Sequence, residues 1–448
     1  MIITLEPKKL PEKWYNILPD LGFAVPPPLT GTGHHMGKMH LADIATSEII
    51  EQELEDNKRD IRIPEKVRDL YSEFRPTPLY RAERWEKSLG TPARIFYKYE
   101  GGNSAGTYEA NTAIPQAYYA AEQGVKSLVT ATSTGEMGIS LAVACNYFNL
   151  KCKVYMVRSA YEEKAYGRYI MELLGADVVP SPSHETDVGK KSLAENPESV
   201  GSLGVALSEA FEHTNMHEDA KFCWGTVMNH VLLHQTVIGQ EARAQMREVK
   251  AYPDAIIGAV GGGSAFGGLA FPFYRDRKND TRMIAVETAA VPSLSKGTYR
   301  YDYADAAGMT ALYKMYTLGR KFVPPGIRAG GMRYHGISPI ISAMYREDVL
   351  ETRIHTQTEA FQSAVDFARA EGIIPSPESS YALKAVVDEA LICKESGKPK
   401  DILFVLTGNG NLDVATFKDF LDGSVADQPF LPDEAAMREL LEGSSDAQ

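Results

Sequence analysis

The chain has 448 residues, 44% of them apolar and 24% charged, and a net charge of −12 at neutral pH. No apolar run reaches the roughly 18 residues of a membrane span, and no basic run offers the clustered Lys and Arg that phosphate backbones require, so neither a membrane segment nor a nucleic-acid partner is expected. The opening "MIITLEPKKLPEKWYNILPD" lacks the basic-then-apolar layout of a secretory signal, and the four scattered cysteines, Cys145, Cys152, Cys223 and Cys393, follow no CxxC spacing. They read as reduced core residues, and a cytoplasmic setting is expected.

The first 75 residues are proline-rich and loop-like. The histidines of "VPPPLTGTGHHMGKMH" sit in a Gly/Pro loop with no acidic or Cys partner nearby and read as plain loop. From "RPTPLYRAERWEKSLG" onward, short β-rich runs alternate with helical spacing. "RIFYKYE" (94–100) reads as a strand, 111–124 as a helix closed by Gly124, "SLVTA" (127–131) as a buried strand, and "GEMGISLAVACNYF" as the next helix. "KCKVYMV" and "ADVVPS" flank a helix expected over 159–175, ended by Gly175. "DAIIGAV", "MIAVE" and "DILFVLT" are later strands separated by long helical stretches. Such alternation predicts an α/β protein with two doubly wound, mostly parallel sheets and a cleft between them. The expected division places 1–75 with 107–222 in an N-terminal domain, and 76–106 with 223–448 in a C-terminal one.

The strongest chemical signal is "AIIGAVGGGSAFGGLAF", an apolar strand running into Gly261, Gly262, Gly263 and Ser264 and then into a helix. Glycines let backbone approach an anion, and the helix N-terminus aims unpaired N–H groups at it. The spacing is neither a P-loop nor a dinucleotide fingerprint. Two more strand ends carry turn and hydroxyl residues. "TATSTGEMG" supplies Thr132, Ser133, Thr134, Gly135 and Glu136, suited to a carboxylate, and "VLTGNGNLD" supplies Thr407. Open α/β sheets bind ligands at the carboxyl ends of their strands, so the three loops describe one site. His230 and His234 stand four apart on a helix, but no Glu follows the first His as in HExxH. No metal is expected.

The loops, in this order, resemble the pyridoxal-phosphate (PLP) dependent tryptophan synthase β family, and most closely its longer, second branch. The likeness is carried by "RPTPLYRAERWEKSLG", "KYEG", "MELLGADVVPSPS", "NHVLLHQTVIGQEA", "VGGGS", "YRYD", "KMYTLG", "RAGGMRYHG" and "EGIIPSPESSYAL". The resemblance implies the fold-type-II architecture, a homodimer, and no tight α-subunit partner.

Position by position, the family's catalytic set is altered. Asn111 is kept, but the Schiff-base lysine is Glu109 and its histidine neighbour is Tyr108. The family's "ETGAGQ" reads Ala131 to Glu136, so its acid/base glutamate is Ala131 and its carboxylate-binding Gln is Glu136. Gly261 to Ser264 persist with Ala265 in place of Asn. The serine facing the pyridine nitrogen is Thr407. Glu378 is retained, and the His that ends the family's "ESSHAL" run is replaced by Tyr381.

A carboxylate forms no imine, and a charged Glu109 would repel an anionic cofactor. The expectation is therefore an enzyme of lyase or isomerase type that works without covalent PLP. Glu109 would be its acid/base group, with Tyr108 or Tyr381 as proton partner. The cup of Gly261–Ser264 with Thr407 would hold the anion. Asn111, residues 132–136 and Glu378 would hold a small anionic metabolite. Two alternatives stay open: a PLP lyase whose cofactor is bound without a covalent link, and a non-catalytic metabolite-binding protein.

Overall fold

A computed structural model describes residues 1–163, 165–275 and 281–441. The protein is built on two main sheets with helices on both faces. The smaller is fully parallel, in the order Asp177–Ser181, Lys151–Val157, Ser127–Thr132, Ala220–Phe222. The larger runs Ile2–Ile3, Leu79–Arg81, Arg94–Tyr99, Asp401–Leu406, Ala255–Ala259, Arg282–Thr288, Glu351–His355. Its first two pairings are antiparallel and the remaining four parallel.

The double coverage follows from the strand sequences. In an extended chain, successive side chains point to opposite faces. Phe96, Ile256, Met283 and Leu403 enter one apolar core, while their neighbours Ile95, Ile257, Ile284 and Ile402 enter another. Both faces must then be covered, and Gln357–Glu371 with Pro377–Ser396 supply residues to the second core. The smaller sheet divides likewise, with Leu128 and Val154 on one side and Val129 and Tyr155 on the other.

The expected strands and helices are found within a residue or two. The stretch 159–175 is helical over Arg158–Glu163 and Ala165–Leu173, and Lys164 lies outside the described residues. The first 75 residues hold more regular structure than their prolines suggest, including helices Ser47–Leu54 and Glu65–Tyr71. Ile2–Ile3 pairs with Leu79–Tyr80 in the larger sheet, whereas the expected division groups it with 107–222. None of the described helices is long and apolar enough to cross a membrane.

A buried charge cluster fixes the chain just before the site. Arg75 donates to Glu100 at 2.7 Å, to Glu241 at 2.8 Å and to the Asn111 side-chain oxygen at 2.7 Å. Lys98 Nζ donates to Glu241 at 2.7 Å and to Gln245 at 2.9 Å. Every charge here has an opposite partner and further hydrogen bonds, the condition under which buried ions are tolerated.

Candidate active site

The cleft lies between the sheets at the carboxyl ends of their strands. Its lining includes Tyr108, Glu109, Thr130–Thr134, Glu136, Met137, Gly225–Val227, Gly261–Ala265, Gly331, Glu378 and Thr407. Counting the part open to solvent, its empty space is about 920 Å³.

The anion cup follows the strand Ala255–Ala259 and opens the helix Ser264–Tyr274. The first N–H groups of that helix have no acceptor within it, and Gly261–Ala265 line the cleft. The glycines are needed because backbone crowds them. A Cβ on Gly261 would sit 1.9 Å from the Gly331 carbonyl oxygen, and Gly263 has φ +101°. Ser264 is held by two hydroxyls, Tyr108 at 3.0 Å and Thr226 at 3.3 Å.

Residues 106–109 are pinned to the neighbouring strand-end turn. Tyr108 N–H donates to the Thr407 carbonyl at 2.8 Å, and Asn409 N–H to the Gly106 carbonyl at 3.0 Å. This places Glu109 at the start of the helix Ala110–Glu122. Glu109 is half-buried as a residue, but its Oε2 is sequestered and has no hydrogen-bond partner. Burial, followed by the nearby charge of Glu378, pushes its pKa up to about 8. Burial also drives the Tyr108 phenol well above its usual value.

The other expected residues divide clearly. Thr132 Oγ1 accepts from Gly135 N–H at 3.0 Å, shaping the 132–135 turn, and Glu136 opens the next helix. Ser133, Thr134 and Glu136 line the cleft. Glu378 Oε1 accepts from Gly331 N–H at 2.9 Å. Thr407 Oγ1 shares hydrogen bonds with Ser376 at 3.0 Å and Ser379 at 2.9 Å. Besides Gly135, which sits in the turn but not in the lining, two expected residues stand apart. Asn111 is wholly buried, its amide donating to Glu100 and Gln235 while its oxygen takes the Arg75 bond. Tyr381 is equally buried, in the apolar core behind the larger sheet, with its hydroxyl toward Thr288. His230 and His234 are spent on Glu53, Gln52 and Thr112.

Sequence reasoning missed Thr226 and Val227, which line the cleft beside the cup. Val227 has φ 72°, a left-handed conformation that a β-branched residue rarely adopts and that clusters at functional sites. Nothing in "GTVMNH" signals it, because the conformation is imposed by packing. The apolar wall of Leu203, Leu207, Phe222, Trp224 and Tyr334 also comes together only in three dimensions.

The sequence pattern of the family described as "Pyridoxal-phosphate dependent enzyme" matches residues 70–408. The tryptophan synthase beta chain 2 of Methanosarcina mazei is 49% identical over 427 residues, covering 94% of this chain and 96% of its own. That of Aquifex aeolicus is 50% identical over 426 residues, covering 94% and 98%. The tryptophan synthase beta chain of Thermococcus gammatolerans is 48% identical over 432 residues, covering 95% and 98%. The chain belongs to the tryptophan synthase β family. It has that family's fold-type-II architecture.

Membership overturns two expectations: that the enzyme is PLP-independent, and that no cofactor, or only a non-covalent one, is used. The family's cofactor is PLP. The residues present fit it at the phosphate end, where the cup and first helical turn offer N–H donors. The charge objection also fails, because a carboxyl with a pKa near 8 is largely protonated at neutral pH and repels an anion little. At the aldehyde end the departure is real, since none of the described residues lining the cleft is a lysine. Lys98 lies behind the site, fully buried, with its Nζ committed to Thr77, Glu241 and Gln245.

Proposed function

We propose that the chain is a PLP-dependent lyase of the tryptophan synthase β kind, acting on an amino acid at the mouth of the Gly261–Ser264 cup. The observation carrying this reading is the meeting of three features in one cleft: an N–H-lined cup, a hydroxyl turn for a carboxylate, and an apolar wall suited to a flat aromatic ring. PLP, when bound, supplies the electron sink for charge developing beside the substrate's amino group. The chain's own residues do the rest. Gly261–Ser264 hold the phosphate, with Ser264 oriented by Tyr108 and Thr226. The turn 132–135 receives the substrate carboxylate. Trp224 and Phe222 exclude water and flank the aromatic partner. Glu109 keeps its carboxyl proton near neutral pH and would exchange it with the substrate.

The reading extends to a homodimer without a tight α-subunit partner, in the cytoplasm, with the 107–222 segment and the larger sheet forming separate units across the cleft. The homodimer and the absence of a tight α-subunit partner rest on the resemblance to the second branch of the family, and the cytoplasmic setting on the scattered, reduced cysteines. The test is to load purified protein with PLP and measure tryptophan formation from L-serine and indole. Turnover that requires added PLP supports the reading, and failure of PLP to bind at all overturns it.

A further inference from the structure

Two chemically opposite groups of residues line the cleft. One is the cup, which presents N–H donors to an anion. The other presents acceptors: Glu109, Glu378 and Glu136 all line it, and Glu136 lies close enough to the 407–409 turn that a Cβ on Gly408 would be 3.2 Å from its Oε1. Glu109 Oε2 is sequestered from solvent and has no protein donor. A buried acceptor in that state calls for a donor from the ligand. An aldehyde oxygen brings only lone pairs. A primary ammonium brings three N–H donors, and its positive charge favours the ionised carboxyl, whose oxygens only accept.

We propose that Glu109 recognises a primary amine on the ligand, so that an amine-bearing pyridoxine phosphate, of the pyridoxamine type, binds more tightly than the same molecule without the amine. This rests on the proposed reading that PLP occupies the cleft, and it adds what Glu109 contacts there. Position 109 has exchanged sides: the protein supplies the carboxyl and the ligand supplies the nitrogen. The cleft then favours a ligand that carries both an anion and a cation over simple phosphates that lack the amine.

The test uses the full chain freed of bound small molecules, with binding followed by calorimetry and by thermal unfolding. The probes are pyridoxamine 5′-phosphate, pyridoxal 5′-phosphate and 4-deoxypyridoxine 5′-phosphate, in which a methyl stands in the reactive position. The amine is expected to bind at least tenfold tighter than the methyl analogue, and E109Q is expected to shrink that preference below threefold while still binding the methyl analogue. Equal binding of amine and methyl forms by the unaltered chain overturns the inference, as does an undiminished preference in E109Q. The two readings separate cleanly. If PLP binds and supports turnover but the amine confers no advantage, this inference alone fails, and if none of the three probes binds, both fail.

Discussion

The hydroxyl of Tyr108 lies 3.0 Å from that of Ser264, tying the segment that carries Glu109 to the first residue of the helix at the anion cup. The two come from chain segments 156 residues apart. Anything that moves one end of the cleft is therefore transmitted to the other.

Tyr108→Phe removes that link and keeps the ring. A neutral hydrogen bond contributes about 0.5–1.5 kcal/mol, so PLP affinity is expected to fall roughly two- to twelvefold with little change in the melting temperature. Titration of the cofactor followed by absorbance checks it. Unchanged affinity would mean that Thr226 alone orients Ser264.

Glu109→Gln should alter how stability depends on pH. The folded carboxyl titrates near 8, above its usual 4.5, so the folded state binds the extra proton between those values. Stability from this group is then fully present below about pH 4.5 and is lost as pH rises toward 8, at no more than about 1.4 kcal/mol per unit. The variant cannot ionise and should match the parent near pH 5 but exceed it near pH 8.5. Denaturant unfolding at both values checks this. Glu287, buried and raised to about 7, tilts both proteins alike and cancels in the difference.

Gly261→Ala should be far more damaging than Gly22→Ala. The new methyl would meet the Gly331 carbonyl at 1.9 Å, and backbone cannot swing aside as a flexible side chain can, whereas Gly22 has nothing within 4 Å. Because Gly331 also donates to Glu378, both the cup and the carboxyl end should shift. Loss of phosphate-ligand affinity by at least tenfold, measured by calorimetry, is expected on the scale of misplaced binding groups.

Arg75→Met leaves Glu100 and Glu241 without their shared guanidinium. Both carboxylates are wholly buried, and removing one partner of such a cluster costs about 3–5 kcal/mol. Chemical denaturation should show that loss. Arg75→Lys should recover only part of it, since an ammonium cannot match the planar fork that reaches Glu100, Glu241 and Asn111 together.

The α/β architecture was legible because strands such as Asp401–Leu406 are apolar after their first residue and are separated by helix-length segments, the pattern of a parallel sheet covered on both faces. The cup was legible because three adjacent glycines and a helix start are local features. Asn111 shows the limit. Its position in the family's pattern suggested contact with substrate, yet its side chain is consumed by Arg75, Glu100 and Gln235. Those partners come from three separate segments, and no local spacing announces them.

Charge state was the other gap. The sequence placed a carboxyl at position 109 and implied a negative charge that would repel an anionic cofactor. Titration depends on surroundings, and the fold buries Glu109 beside Glu378, so its proton stays on near neutral pH. The sequence by itself determined the sheets, the glycine turn and which residue type stands at each strand end. Only the tertiary structure decided which of those side chains reach the cleft, how Val227 is strained beside it, and what charge Glu109 carries, because each depends on atoms brought together from distant parts of the chain.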